Sequence, residues 1–111
     1  MEIIAHRGFW KTWEERNSLK AFERSAGEGI GTETDFRDYL GKLVVSHNIA
    51  DASCMNADDF FALYDNTDKT LALNVKADGI QELLKEQLDK HNIKNYFCFD
   101  MSVPDTLLYP E

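Results

Sequence analysis

A chain of 111 residues, 43% hydrophobic and 29% charged, is long enough for one hydrophobic core but not for two. It is too rich in both classes to be disordered, collagen-like or dominated by membrane spans. Its formal charge of −8 argues against a nucleic-acid partner, because phosphate backbones are bound by clustered Lys and Arg. The same charge means that any phosphate ester handled here needs placed Arg or Lys, or a divalent cation.

The start, Met-Glu-Ile-Ile-Ala-His, lacks the basic region and apolar core of a signal peptide. No stretch reaches the roughly 18 apolar residues of a transmembrane helix. The two cysteines, Cys54 and Cys98, make no disulfide framework and have no metal-ligand spacing. The expectation is reduced thiols in a cytoplasmic protein without stable membrane insertion.

In chain order, residues 2–6 form a short apolar run closed by Arg7-Gly8, which reads as a buried strand and a turn. Phe9 to Arg16 has no clean period and reads as loop. Asn17 and Ser18 suit a helix N-cap. After them Leu19, Phe22, Ala26 and Ile30 recur at helical spacing, and the helix should end near Gly27 or Gly29. Gly31 to Phe36 alternates and reads as a second strand. A turn at Tyr39–Lys42 leads into a short hairpin strand, Leu43 to His47.

Asn56 caps an expected helix from Ala57 to Tyr64. Thr70 to Val75 reads as a buried strand. Asp78 and Gln81 make a capping-box pattern, ahead of a helix with Ile80, Leu83, Leu84 and Leu88 on one face. Asn95 to Asp100 is the last strand, and Pro104-Asp105-Thr106 suits the start of a further helix. The Phe60-Phe61 and Phe97-Cys98-Phe99 runs read as core. Strands alternating with helices and apolar on both faces imply an α/β fold with a parallel sheet.

The chemistry-bearing residues fall at strand ends. His6 and Arg7 close the first strand, His47 the hairpin strand and Asp100 the last, and Lys76 follows the third buried strand. Glu33 and Asp35 stand two apart on one strand face, about 6–7 Å apart. In parallel α/β sheets the carboxyl edge is where active sites lie. Paired carboxylates suit a hard cation, Mg²⁺ or Ca²⁺. Arg7 suits bidentate phosphate binding, and two histidines suit a pair of proton transfers.

At these positions the sequence resembles a known family. Ile4-Ala5-His6-Arg7-Gly8, Asn17-Ser18-Leu19-Lys20-Ala21-Phe22, Glu33-Thr34-Asp35 and Val44-Val45-Ser46-His47 are similar, in order and spacing, to the blocks of the glycerophosphodiester phosphodiesterases. The resemblance implies a TIM-type (β/α)8 barrel, of which four β/α units are half, completed by further chain or by pairing with a second copy. It implies Glu33 and Asp35 as ligands of Mg²⁺ or Ca²⁺, with Asn74 where the family has a third carboxylate. It implies His6 and His47 as acid and base, in an order left open, with Arg7 on the phosphate of a small phosphodiester, and Lys76 at the same sheet edge is expected to join Arg7 there. The departures are Glu15-Arg16-Asn17-Ser18 for Pro-Glu-Asn-Thr, His47-Asn48 for His-Asp, and Asn74-Val75-Lys76 for Glu-x-Lys. Those departures and the missing half barrel motivate the alternative of a non-catalytic phosphate-binding or assembly module.

Overall fold

The computed structural model describes residues 3–101. The N-terminal end of the first expected strand, the Pro104-Asp105-Thr106 helix start and everything to Glu111 lie outside the described residues. Six strands form one sheet: β1 (Ile4–His6), β2 (Gly31–Tyr39), β3 (Lys42–Val45), β4 (Met55–Asn56), β5 (Leu71–Val75) and β6 (Tyr96–Phe99). Three helices accompany them: α1 (Leu19–Gly27), α2 (Ala57–Leu63) and α3 (Gln81–Lys90).

The spatial order is β4-β3-β2-β5-β6, with β1 also paired to β2. β1 takes Gly31–Glu33 of β2, and β3 takes Phe36–Tyr39. Four strands, β1, β2, β5 and β6, run parallel to one another. β3 and β4 are antiparallel. The sheet is therefore mixed, the expected hairpin adding antiparallel pairs to the expected parallel strands. The cause is the tight turn after β2, where Leu40 (φ 51°) and Gly41 (φ 80°) both adopt the positive φ of a two-residue hairpin turn.

Alternation along the strands separates two faces. One face presents Phe36, Leu43, Val45, Leu71, Leu73 and Val75 to a core completed by Phe22, Phe60, Phe61, Ile80, Leu84 and Leu88 from the helices. Phe36 and Phe61 stack at 5.4 Å, and Phe60 packs edge-on to Phe22 at 4.7 Å. The other face carries His6, Glu33, Asp35, Ala72, Asn74, Phe97 and Phe99, by register and alternation. None of these residues belongs to the helix-packed core among the described residues.

Local signals explain most element ends. Ser18 Oγ accepts from the Ala21 amide and Asn56 Oδ1 from the Asp58 amide, so both expected caps form. The expected capping box at Asp78 does not: Gly79 takes φ 77°, the N-cap is Ile80, and no side chain bonds it. Trp13–Glu15, inside the expected loop, forms a single 3₁₀ turn. β4 and the extension of β2 to Tyr39 are additions to the expected elements. Phe97 is 49% exposed and Phe99 half-buried, so of the last run only Cys98 packs against the core. The two aromatic rings lie on the face that the described helices leave bare. Both cysteines are free thiols, and burial pushes Cys98 up to about 11. No helix among the described residues is long and apolar enough to cross a membrane.

Candidate functional site

The carboxyl edge of the sheet gathers the ionisable residues through backbone constraints. β1 ends at His6, and Arg7 then turns the chain with φ 56°. Gly8 follows at φ 86°, where an added Cβ would stand 2.8 Å from Ala21 Cβ. That space and that φ both require glycine. The Gly8 amide donates to Thr32 Oγ1 at 3.0 Å, whose hydroxyl in turn donates to the Ala5 carbonyl at 3.0 Å. The loop is thereby fastened to β2, and Arg7 is aimed across the end of the sheet.

Glu33 and Asp35 point to the same side of β2, and Asn74 is the register partner of Asp35 on β5. Asp35 is fully buried. Three groups converge on its Oδ2: Asn17 Nδ2 donates at 2.8 Å, Arg7 Nε lies at 3.0 Å and His47 Nδ1 at 3.7 Å. The Arg7 contact is an ion pair without hydrogen-bond alignment, since Nε has no acceptor in line. Arg7 Nη2 instead donates to His47 Nδ1 at 3.0 Å. His6 Nε2 stands 3.6 Å from Glu33 Oε2.

The electrostatics follow from this packing. Burial pushes the Glu33 carboxyl above its ordinary value, with the neighbouring Asp35 charge adding to the rise and His6, Arg7 and Lys76 opposing it. Desolvation, then the Arg7 charge, pushes the His47 imidazole below its ordinary value, with the Asp35 charge opposing. Because Arg7 Nη2 donates into Nδ1, that nitrogen is the acceptor and the ring proton sits on Nε2.

Three oxygens on this face, Glu33 Oε1, Asp35 Oδ1 and Asn74 Oδ1, are buried without any hydrogen-bond partner. Buried oxygens without donors are costly, and two carboxylates with an amide are the donor set of a hard cation. Among the described residues no group of three or more His, Cys, Asp or Glu side chains is arranged to hold a metal ion. The fit of Mg²⁺ or Ca²⁺ therefore rests on the amide of Asn74 joining the two carboxylates.

Lys76 follows β5, its amide donating to the Phe36 carbonyl at 3.0 Å. Its Nζ pairs with Asp100 Oδ2 at 3.4 Å, and its charge acts on both Glu33 and His47. Five of the seven candidate residues thus fall into two neighbouring contact groups, His6 with Glu33, and Arg7 with Asp35 and His47. Asn74 and Lys76 border them.

Two participants escape the sequence reading. Asn17, taken as a helix cap, holds φ 57°, bonds Asp35 and donates its amide to the Arg7 carbonyl at 2.9 Å. Arg37 clamps the His47 carbonyl through Nη2 at 3.0 Å. Its signal was available, since 33, 35 and 37 share one strand face.

Beside this network opens a cleft of about 720 Å³, lined in part by Arg7, Trp13, Arg16, Asn17, His47 and Met55. No protein-family model, curated protein or solved structure matches this chain.

Proposed function

We propose that the chain is a phosphodiester hydrolase, or the part of one that carries His6 and His47, splitting a small glycerophosphodiester-like substrate into an alcohol and a phosphomonoester. One observation carries this reading. Two contact groups, His6 with Glu33 and Arg7 with Asp35 and His47, stand together at one sheet edge, next to three buried oxygens that lack partners. A salt-bridge cluster serving only stability has no use for orphaned carboxylate oxygens.

In this reading Arg7 turns from His47 to the phosphate, where its planar fork grips two oxygens. That releases Nδ1 of the neutral His47 to accept a proton from the attacking water. The water oxygen forms the new bond to phosphorus as the bond to the alcohol oxygen breaks. His6, held beside the Glu33 carboxylate, delivers a proton to the departing oxygen. Glu33, Asp35 and Asn74 would hold Mg²⁺ or Ca²⁺, which when bound supplies charge neutralisation at the phosphate oxygens. Lys76 adds positive charge at the same edge. The half barrel, closed by further chain or a second copy, belongs to the same proposal. The sequential parallel order β1-β2-β5-β6 and the bare sheet face bearing Phe97 and Phe99 support it.

The test is hydrolysis of glycerophosphocholine and of bis(p-nitrophenyl) phosphate with Mg²⁺, with Ca²⁺ and with chelator. His6→Ala and His47→Ala are each expected to lose about 10²–10⁴-fold, the usual weight of a proton-transfer group. The acid limb of kcat/KM should fall below the ordinary imidazole range, because His47 is pushed down. Turnover that ignores both histidines, or is absent under all conditions, sinks the enzyme. A second reading is favoured by one observation: Arg7 already neutralises Asp35 at 3.0 Å. In that non-catalytic phosphate binder, phosphate affinity depends on Arg7 and survives loss of either histidine.

A further inference from the structure

The cleft beside the network contains a cation that the reaction above does not use. Arg16 lines it together with Arg7 and His47. Its guanidinium lies 3.6 Å from the centroid of the Trp13 ring, and its Nε donates to the Trp13 carbonyl at 2.9 Å. These contacts fix the plane of the guanidinium, and among the described residues its two Nη groups have no hydrogen-bond partner. Among the described residues no carboxylate forms an ion pair with Arg16. Its neighbour Glu15 is engaged by Arg24 and Lys20 instead. The Arg24 hydrogen bond draws the Glu15 carboxyl down to about 2.

Arg7, by contrast, is committed to Asp35 and His47. The two arginines are neighbours through the backbone, because the Asn17 amide donates to the Arg7 carbonyl. Glu14, which also lines the cleft, is exposed, and water screens its charge. In a chain of net charge −8, an arginine fixed in a cleft with no acidic partner is a ready anion site.

We propose that Arg16 selects phosphodiesters whose alcohol portion carries a second anionic group, a carboxylate or a phosphomonoester, bound through the free Nη edge while Arg7 takes the scissile phosphate. This rests on the phosphodiesterase reading. Arg16 acts on specificity and touches no reacting atom.

Two matched pairs test it. Glycerophosphoethanolamine and glycerophosphoserine differ by one carboxylate; glycerophosphoinositol and its 4-phosphate differ by one phosphomonoester. In the unaltered protein the more anionic member of at least one pair should have a kcat/KM about tenfold higher, the scale of a charge-assisted hydrogen bond. In Arg16→Gln that ratio should fall to within about twofold of unity. Arg16→Lys, which keeps the charge but loses the fork, should retain part of it and serves if the Gln variant melts early. The pair that responds names the anion. Equal ratios in both proteins, or a loss shared by all four substrates, overturn the proposal while turnover itself upholds the hydrolase. If none of the four is cleaved, the hydrolase reading is decided by glycerophosphocholine and bis(p-nitrophenyl) phosphate, and calorimetric binding of the same four compounds judges the anion site alone. Tighter binding of the anionic members that Arg16→Gln abolishes supports it, and binding indifferent to the added anion overturns it.

Discussion

Strand β2 has two sides that obey different rules. Toward the helices it offers Thr32, Thr34 and Phe36, in a core of stacked aromatics and branched aliphatics. Toward the other side it offers Glu33, Asp35 and Arg37, each facing charge or a backbone carbonyl. Both sides are largely excluded from water at the carboxyl end, yet among the described residues only the second leaves buried carboxylate oxygens unpaired. The first side is close-packed for stability. The second keeps charges and lone pairs in an arrangement that folding alone does not reward, as happens where stability is traded for a site.

Three consecutive residues can break that comparison. Phe36→Ala should have the largest effect, since it removes a fully buried ring that contacts both Phe60 and Phe61. A loss of about 3–5 kcal/mol is expected in urea unfolding. Asp35→Asn should cost about 3 kcal/mol, the lower end for leaving a buried charge without its partner, because Arg7 is still 14% exposed. If Asp35→Asn leaves the urea midpoint unchanged, the ion pair is not holding the loop. Thr34→Val goes the other way. The Thr34 hydroxyl is buried without a partner, and replacing it by a methyl of similar shape should raise stability by about 1 kcal/mol. A fall instead would show that the two sides of β2 are not as distinct as their contacts indicate.

Much of this was legible in the residues themselves. Leu71 to Val75 is an unbroken buried run, and it is a strand with every residue buried. Ser18 and Asn56 each cap the helix that follows. The two-residue spacing of Glu33 and Asp35 placed both carboxylates on one face before any tertiary contact was known. The failures have local causes. Asp78 and Gln81 match a capping box in composition, but Gly79 at positive φ starts the helix later. Phe97-Cys98-Phe99 reads as core because composition cannot distinguish an apolar strand covered on both faces from one covered on one.

What the sequence by itself determined, then, is the alternation of strands and helices, the side of β2 on which each carboxylate falls, and the placing of His6 and Arg7 at the end of β1. Those follow from backbone periodicity and from short-range caps and turns, which depend on neighbours in the chain. The expected hairpin strand to His47 instead stops at Val45, and His47 stands two residues beyond it. Only the tertiary structure decided that Asn17 bonds Asp35 across 18 positions and that Arg7 reaches His47 across 40. It also decided that Arg16 stands fixed on the wall of the same cleft as Arg7. These are contacts between segments joined by loop closure, and whether two distant side chains meet depends on how helices and strands pack, which no local pattern encodes.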